Sequence, residues 1–109
     1  MPDKGVAFSL IVAVKDEQEN MAPLIAEIAA AIQGRDPSTY EAIFIDDGSS
    51  DGTADELARL KSVLPSLRVL VHGRNLGKSA ALRTGIRAAR HPGIVTMDGD
   101  GQNDPADIH

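Results

Sequence analysis

Tyr40–Thr53, YEAIFIDDGSSDGT, runs from an apolar segment through an acidic turn into a helix start. Tyr40–Ile45 reads as a strand. Asp46–Gly52 is made of turn residues: Gly reaches positive φ without strain, and Asp and Ser bond their own backbone. Thr53 and Glu56 have capping-box spacing, and Leu57, Leu60 and Leu64 give the next helix one apolar stripe, which Pro65 stops.

The same order recurs on both sides. Ala7–Val14 (AFSLIVAV) is nearly all apolar, as a strand buried on both faces must be. Lys15–Asn20 is a polar loop, and Asn20 is expected to cap a helix whose stripe is Met21, Leu24, Ile25, Ile28, Ala29 and Ile32. Gly34 and Pro37 end that helix. Leu67–Val71 is a third strand and Gly73–Gly77 a loop; Leu82, Ile86 and Ala89 mark a third helix. Pro92–Gly93 break it, Ile94–Met97 is a short fourth strand, and Asp98–Asp104 is again acidic. Pro105 suits the first turn of a further helix.

Alternation of strand and helix predicts an α/β domain, a parallel sheet with helices over its faces. Ligands of such sheets bind outside the carboxyl ends of the strands. Lys15–Asn20, Asp46–Gly52 and Asp98–Asp104 each follow a strand directly, so three sequence-distant acidic loops are expected on one rim.

Composition narrows the function. The 109 residues suffice for one domain, 1–109, and 42% are apolar, so a core can form. Cysteine is absent, which rules out disulfides and thiolate metal sites. A net charge of −5 argues against a nucleic-acid binder. No apolar run reaches the length of a membrane span. The bases gather between Arg74 and Arg90, and an acidic site beside a basic strip can hold a cation together with an anion.

Asp98-Gly99-Asp100-Gly101-Gln102 places two carboxylates two residues apart, with Gln102 adding a neutral oxygen. Such a set suits a hard cation, Mg²⁺ or Mn²⁺, that keeps positions open for substrate phosphates. A solvated acidic turn is the alternative. A calcium EF-hand loop is excluded, since it needs Gly where Asn103 stands and Glu where His109 stands. The Asp46-Asp47 pair calls for a partner such as a ribose hydroxyl or a base N–H, whereas Asp51 is explained by helix capping. Glu17 serves either the same nucleotide or the dipole of the following helix. Arg74, Lys78 and Arg83 either pair with diphosphate oxygens or form a surface charge run. His72, His91 and His109 have no metal-ligand spacing and read as structural or surface residues.

Four blocks taken together, Ser9–Met21, Tyr40–Thr53, Arg74–Ala89 and Ile94–Ile108, resemble the family 2 glycosyltransferases. Within that family they are most similar to the dolichol-phosphate mannosyltransferase-like polyprenyl-phosphate glycosyltransferases. The resemblance implies the N-terminal, Rossmann-like nucleotide-binding half of a GT-A fold. By it Glu17, Asp46 and Asp47 bind the nucleoside of a GDP- or UDP-sugar. Asp98, Asp100 and Gln102 hold Mg²⁺ or Mn²⁺ against the donor diphosphate, and Asp98 and Asp100 carry the catalysis. The implied reaction is inverting sugar transfer to a dolichyl or undecaprenyl phosphate, at the cytoplasmic face of the membrane. Ala13, Lys15 and Asp16 stand where the family often has Pro, Tyr and Asn, and Gly101 where it often has Leu.

Family members continue past the D-x-D region with acceptor-binding elements. The chain is therefore expected to be an N-terminal piece that binds donor without turnover, and to pair as a homodimer through an exposed sheet edge. Two other readings fit parts of the sequence: a non-catalytic nucleotide- or metal-binding module, and a receiver-like signalling domain. The receiver layout needs its phosphorylated Asp on a central strand, and the acids here follow the second and fourth strands.

Overall fold

A computed structural model describes residues 6–98. Four strands form one sheet: β1 (Phe8–Val14), β2 (Tyr40–Asp46), β3 (Leu67–Val71) and β4 (Gly93–Asp98). Between them lie α1 (Gln18–Ala31), α2 (Thr53–Arg59) and α3 (Lys78–Ala88), with short 3₁₀ turns at Pro37–Thr39 and Leu60–Ser62. All pairings are parallel and the strand order is β3-β2-β1-β4.

Alternation along the strands divides the core. Phe8, Leu10, Val12 and Val14 of β1 face one way and pack with Met21, Leu24, Ile25 and Ile28 of α1 and Leu57 of α2. Ile11 of β1 and Ile43 and Ile45 of β2 face the other way, toward Ala81 of α3. This is why β1 and β2 are almost wholly apolar: each is covered on both faces.

Register fixes where the loops emerge. Val14 pairs with Asp46, Asp46 with Val71, and Ala13 with Asp98, so the four carboxyl ends are level. The strand order reverses direction between β1 and β4, and the crevice at such a switch point is where doubly wound sheets hold ligands.

Three local expectations need correction. Asn20 does not cap α1, which begins at Gln18. Its first amides are met from outside: Glu17 N donates to Thr53 Oγ1 at 3.0 Å and Gln18 N to Asp51 Oδ2 at 3.3 Å. The Thr53–Glu56 capping box does not form either. Thr53 is already helical, and its N donates to Asp51 Oδ1 at 2.9 Å, so Asp51 serves both helix starts. Finally, α3 does not turn Ile86 inward; Ile86 is 47% exposed, and Ala81 and Gly85 are the buried positions. The helix lies so close to the sheet that a Cβ on Gly85 would come within 2.4 Å of Ile11 Cγ2 and 2.6 Å of Ile45 Cδ1.

Candidate functional site

The loops after β1, β2 and β3 are tied into one rim by their own polar side chains. Asp16 anchors the first to the second. Its Oδ1 accepts from Ser50 N at 2.7 Å, Ser50 Oγ at 3.2 Å and Asp51 N at 3.3 Å, while its own N donates to Ser49 Oγ at 2.8 Å. Asp16 takes a left-handed φ of 53°, a conformation that Asp tolerates better than most residues. Beside it, Gly52 N donates to Gln18 Oε1 at 3.0 Å.

Asp47 ties the second loop to the third. It is buried, and its Oδ1 accepts from His72 Nδ1 at 2.8 Å and Leu76 N at 3.0 Å. Its Oδ2 accepts from Gly77 N at 2.8 Å. Burial pushes the Asp47 carboxyl up, but the His72 bond, the two amides and the His72 charge together outweigh it and hold the carboxyl below its ordinary value. His72 continues the chain, with Nε2 2.9 Å from Thr84 Oγ1 of α3. Gly48, at φ 76°, packs so tightly on the third loop that a Cβ would meet Arg74 C and Asn75 N at 2.5 Å. Only glycine fits there.

Asp46 differs from its neighbour. It is 2% exposed, and its Oδ1 accepts from Ser49 N at 2.9 Å. Among the described residues its Oδ2 has no partner. Glu17 is half-buried at the start of α1 and accepts from Asn20 Nδ2 at 2.5 Å. Lys78, the first residue of α3, is exposed on the same rim and already engaged in an interaction. The amino end of α3 opens there after Gly77, whose φ of 98° lets the backbone turn into the helix.

The structure thus brings Glu17, Asp46, Asp47 and Lys78 to one edge of the sheet. Asp98 closes β4 on the same edge, beside Ala13 of β1. Asp100 and Gln102 lie outside the described residues. Among the described residues no group of three or more His, Cys, Asp or Glu could hold a metal. The expected donor set, Asp98, Asp100 and Gln102, offers oxygen alone, which is the chemistry Mg²⁺ and Mn²⁺ require.

Asp16 and Thr84 of this rim carry no assigned role in the sequence. Asp16 had a usable signal, an Asp at a strand-to-helix junction where a left-handed residue suits the turn. His72 is structural, as expected, but its partners Asp47 and Thr84 had no sequence signal, because their meeting depends on how closely α3 approaches β3.

The sequence model of glycosyl transferase family 2 matches residues 9–109. Dodecaprenyl-phosphate galacturonate synthase of Rhizobium johnstonii is 39% identical over 98% of this chain and 32% of its own length. Dolichol-phosphate mannosyltransferase of Saccharomyces cerevisiae is 30% identical over 95% of this chain and 39% of its own. Among solved structures, the mannosyltransferase PcManGT from Pyrobaculum calidifontis, in complex with GDP-Man and Mn²⁺, superposes with a TM-score of 0.78. It is 25% identical and is matched over 92% of this chain and 30% of that one. The fold is the expected one, the nucleotide-binding half of the GT-A architecture. The chain spans about a third of the length of the curated relatives it matches.

Proposed function

The chain belongs to glycosyl transferase family 2, and from that premise we propose that it is the donor-binding half of a polyprenyl-phosphate glycosyltransferase. The donor is a GDP- or UDP-sugar. The acceptor is a dolichyl or undecaprenyl phosphate, bound by the part of the protein beyond this chain. The names of the relatives support the lipid phosphate, and the GDP-Man and Mn²⁺ of the archaeal mannosyltransferase support the donor class and the cation.

One observation carries the reading. Three loops distant in sequence, those after β1, β2 and β3, are bonded into a single rim beside the switch point, and within it Asp46 Oδ2 has no partner among the described residues. Asp46 Oδ2 and Glu17 would accept from the ribose or base. Asp47 would act at one remove, by holding the loop that leads into α3. The amino end of α3 and Lys78 would face the diphosphate, since open amides and a cation both favour an anion.

Asp98, Asp100 and Gln102 would hold Mg²⁺ or Mn²⁺, which when bound offsets the negative charge on the departing diphosphate. An acceptor phosphate oxygen attacks the anomeric carbon, the bond from that carbon to the donor phosphate oxygen breaks, and the nucleoside diphosphate leaves with its electron pair. Attack from the opposite face inverts the centre. The acceptor oxygen is already anionic, so no strong base is needed to activate it. Binding of donor without transfer is the behaviour we assign to this chain alone, and the cytoplasmic face of the membrane is where the full-length protein would work.

Calorimetric titration of GDP, UDP and their sugar conjugates, with and without Mn²⁺, tests the proposal. Metal-dependent binding that Asp100→Ala abolishes is expected. Absence of binding by both the chain and the full-length protein would overturn it.

A further inference from the structure

At the opposite end of the sheet, where the strands begin, a cleft of about 430 Å³ opens beside β2 and β3. It lies the length of a seven-residue strand away from the donor rim, about 20 Å. Its volume is that of a small-molecule pocket. Lys61, Arg68 and Arg90 line it against a single carboxylate, Glu41, in a chain whose net charge is −5.

Arg68 is fixed before any ligand arrives. Its Nη1 alone donates to both Glu41 Oε1, at 2.8 Å, and Ala88 O, at 2.9 Å. Those bonds use both hydrogens of Nη1, so Nε and Nη2 keep three donors without partners among the described residues. Glu41 is satisfied in turn by Ser9 Oγ at 2.6 Å and Arg90 N at 2.6 Å, so it does not compete for a ligand's cationic partners. Ser66 Oγ, also in the lining, is buried with no hydrogen-bond partner among the described residues. Native structures rarely leave such an atom unpaired. Tyr40 and Pro65 add apolar wall.

We propose that this cleft is a second anion site, independent of the donor rim, that takes an organic phosphate monoester. The phosphate sits between Arg68, Lys61 and Arg90, with the Ser66 hydroxyl donating to one of its oxygens, and the organic part rests on Tyr40 and Pro65. Guanidinium and phosphate pair in a fixed geometry, which an already anchored Arg68 offers at little ordering cost. The phosphate belongs either to a soluble ester or to a lipid headgroup.

Amide shifts of the ¹⁵N-labelled chain, followed during titration with inorganic phosphate and then phenyl phosphate, locate the site directly. Saturable shifts at Ser66, Arg68 and His91 are expected, with phenyl phosphate binding more tightly. The double variant Lys61→Glu, Arg90→Glu, which alters exposed side chains, should weaken binding at least tenfold. Ser66→Ala should weaken it severalfold without lowering the melting temperature, because it removes a hydroxyl that has no partner in the free protein. Flotation with phosphatidic acid vesicles, against phosphatidylcholine alone, separates the sources. Vesicle binding that the double variant loses assigns the phosphate to a lipid, and binding of soluble ester alone assigns it to a small molecule. Shifts confined to the loops at 15–17, 47–52 and 72–77, or equal binding by the double variant, would overturn the proposal.

Discussion

Asp46 and Asp47 leave β2 side by side, and the backbone turns their carboxylates to different partners. Asp47 gathers His72, Leu76 N and Gly77 N, while among the described residues Asp46 takes Ser49 N alone. Asp47→Asn would set an amide nitrogen against one of those donors and leave that donor unmatched in a buried place. A loss of about 1–3 kcal/mol is expected in urea unfolding at neutral pH. The acid side gives a sharper test. A carboxyl whose pKa is lower folded than unfolded binds fewer protons when folded, so its contribution is full above the ordinary carboxylate range. It is lost as pH falls through the lowered folded value. Asp47 and Glu41 are both lowered, in each case against the upward push of burial, Glu41 by its bonds from Ser9, Arg90 N and Arg68. Wild type should therefore lose stability below the ordinary carboxylate range, and Asp47→Asn should show a shallower decline there; identical profiles would contradict the assignment. The acid pair itself was legible in the sequence. Which of the two carboxylates is taken up by the third loop was not, because that is decided by the Leu76 and Gly77 amides some thirty positions along the chain.

The strands were legible almost to the residue, since Ala7–Val14, Tyr40–Ile45, Leu67–Val71 and Ile94–Met97 differ from the observed spans by one position at most at either end. Continuous apolar runs bounded by polar loops leave little choice in a sheet covered on both faces. Helix ends and helix faces were less legible. The start of α1 is set by Thr53 and Asp51 in another loop, which no local capping rule can see. The inward face of α3 is set by close approach: Leu82 and Ala89 pack at the margin of the core as their apolar character suggests, but Ile86 turns out, and Ala81 and Gly85 lie directly on the sheet because they are small. Gly85→Ala tests this directly. In an exposed helix position the change would stabilise by about 1 kcal/mol. Here the added methyl must displace Ile11 and Ile45, an overpacking cost of about 1–3 kcal/mol, so the net change should be destabilising. A higher melting temperature would mean that α3 does not pack as described.

In the sheet of the described residues, β3 and β4 are the edges, with Val71 59% and Ile94 41% exposed on them. Among the described residues no helix is long and apolar enough to cross a membrane. An uncovered edge strand offers its free amides and carbonyls to another copy. We expect a homodimer through that edge, read as a doubled mass in light scattering at high concentration; a monomer throughout would count against it. The sequence reached the parallel sheet and placed the loops after the first two strands on one rim; of the third acidic loop only Asp98, at the end of β4, lies among the described residues. It did not order the strands, because the step that carries β4 to the far side of β1 is written in no local pattern.

Mapping the nucleotide onto the rim at the carboxyl ends of the strands is the most direct test of donor binding there. GDP and UDP, each with Mg²⁺, would be titrated into the ¹⁵N-labelled chain while the amides of Glu17, Gly48, Ser49, Gly77 and Lys78 are followed. Saturable shifts are expected there for at least one nucleotide, sharply weakened in Asp46→Asn. Shifts at the amino ends of the strands in place of the rim, or rim shifts indifferent to Asp46→Asn, would contradict donor binding at the rim.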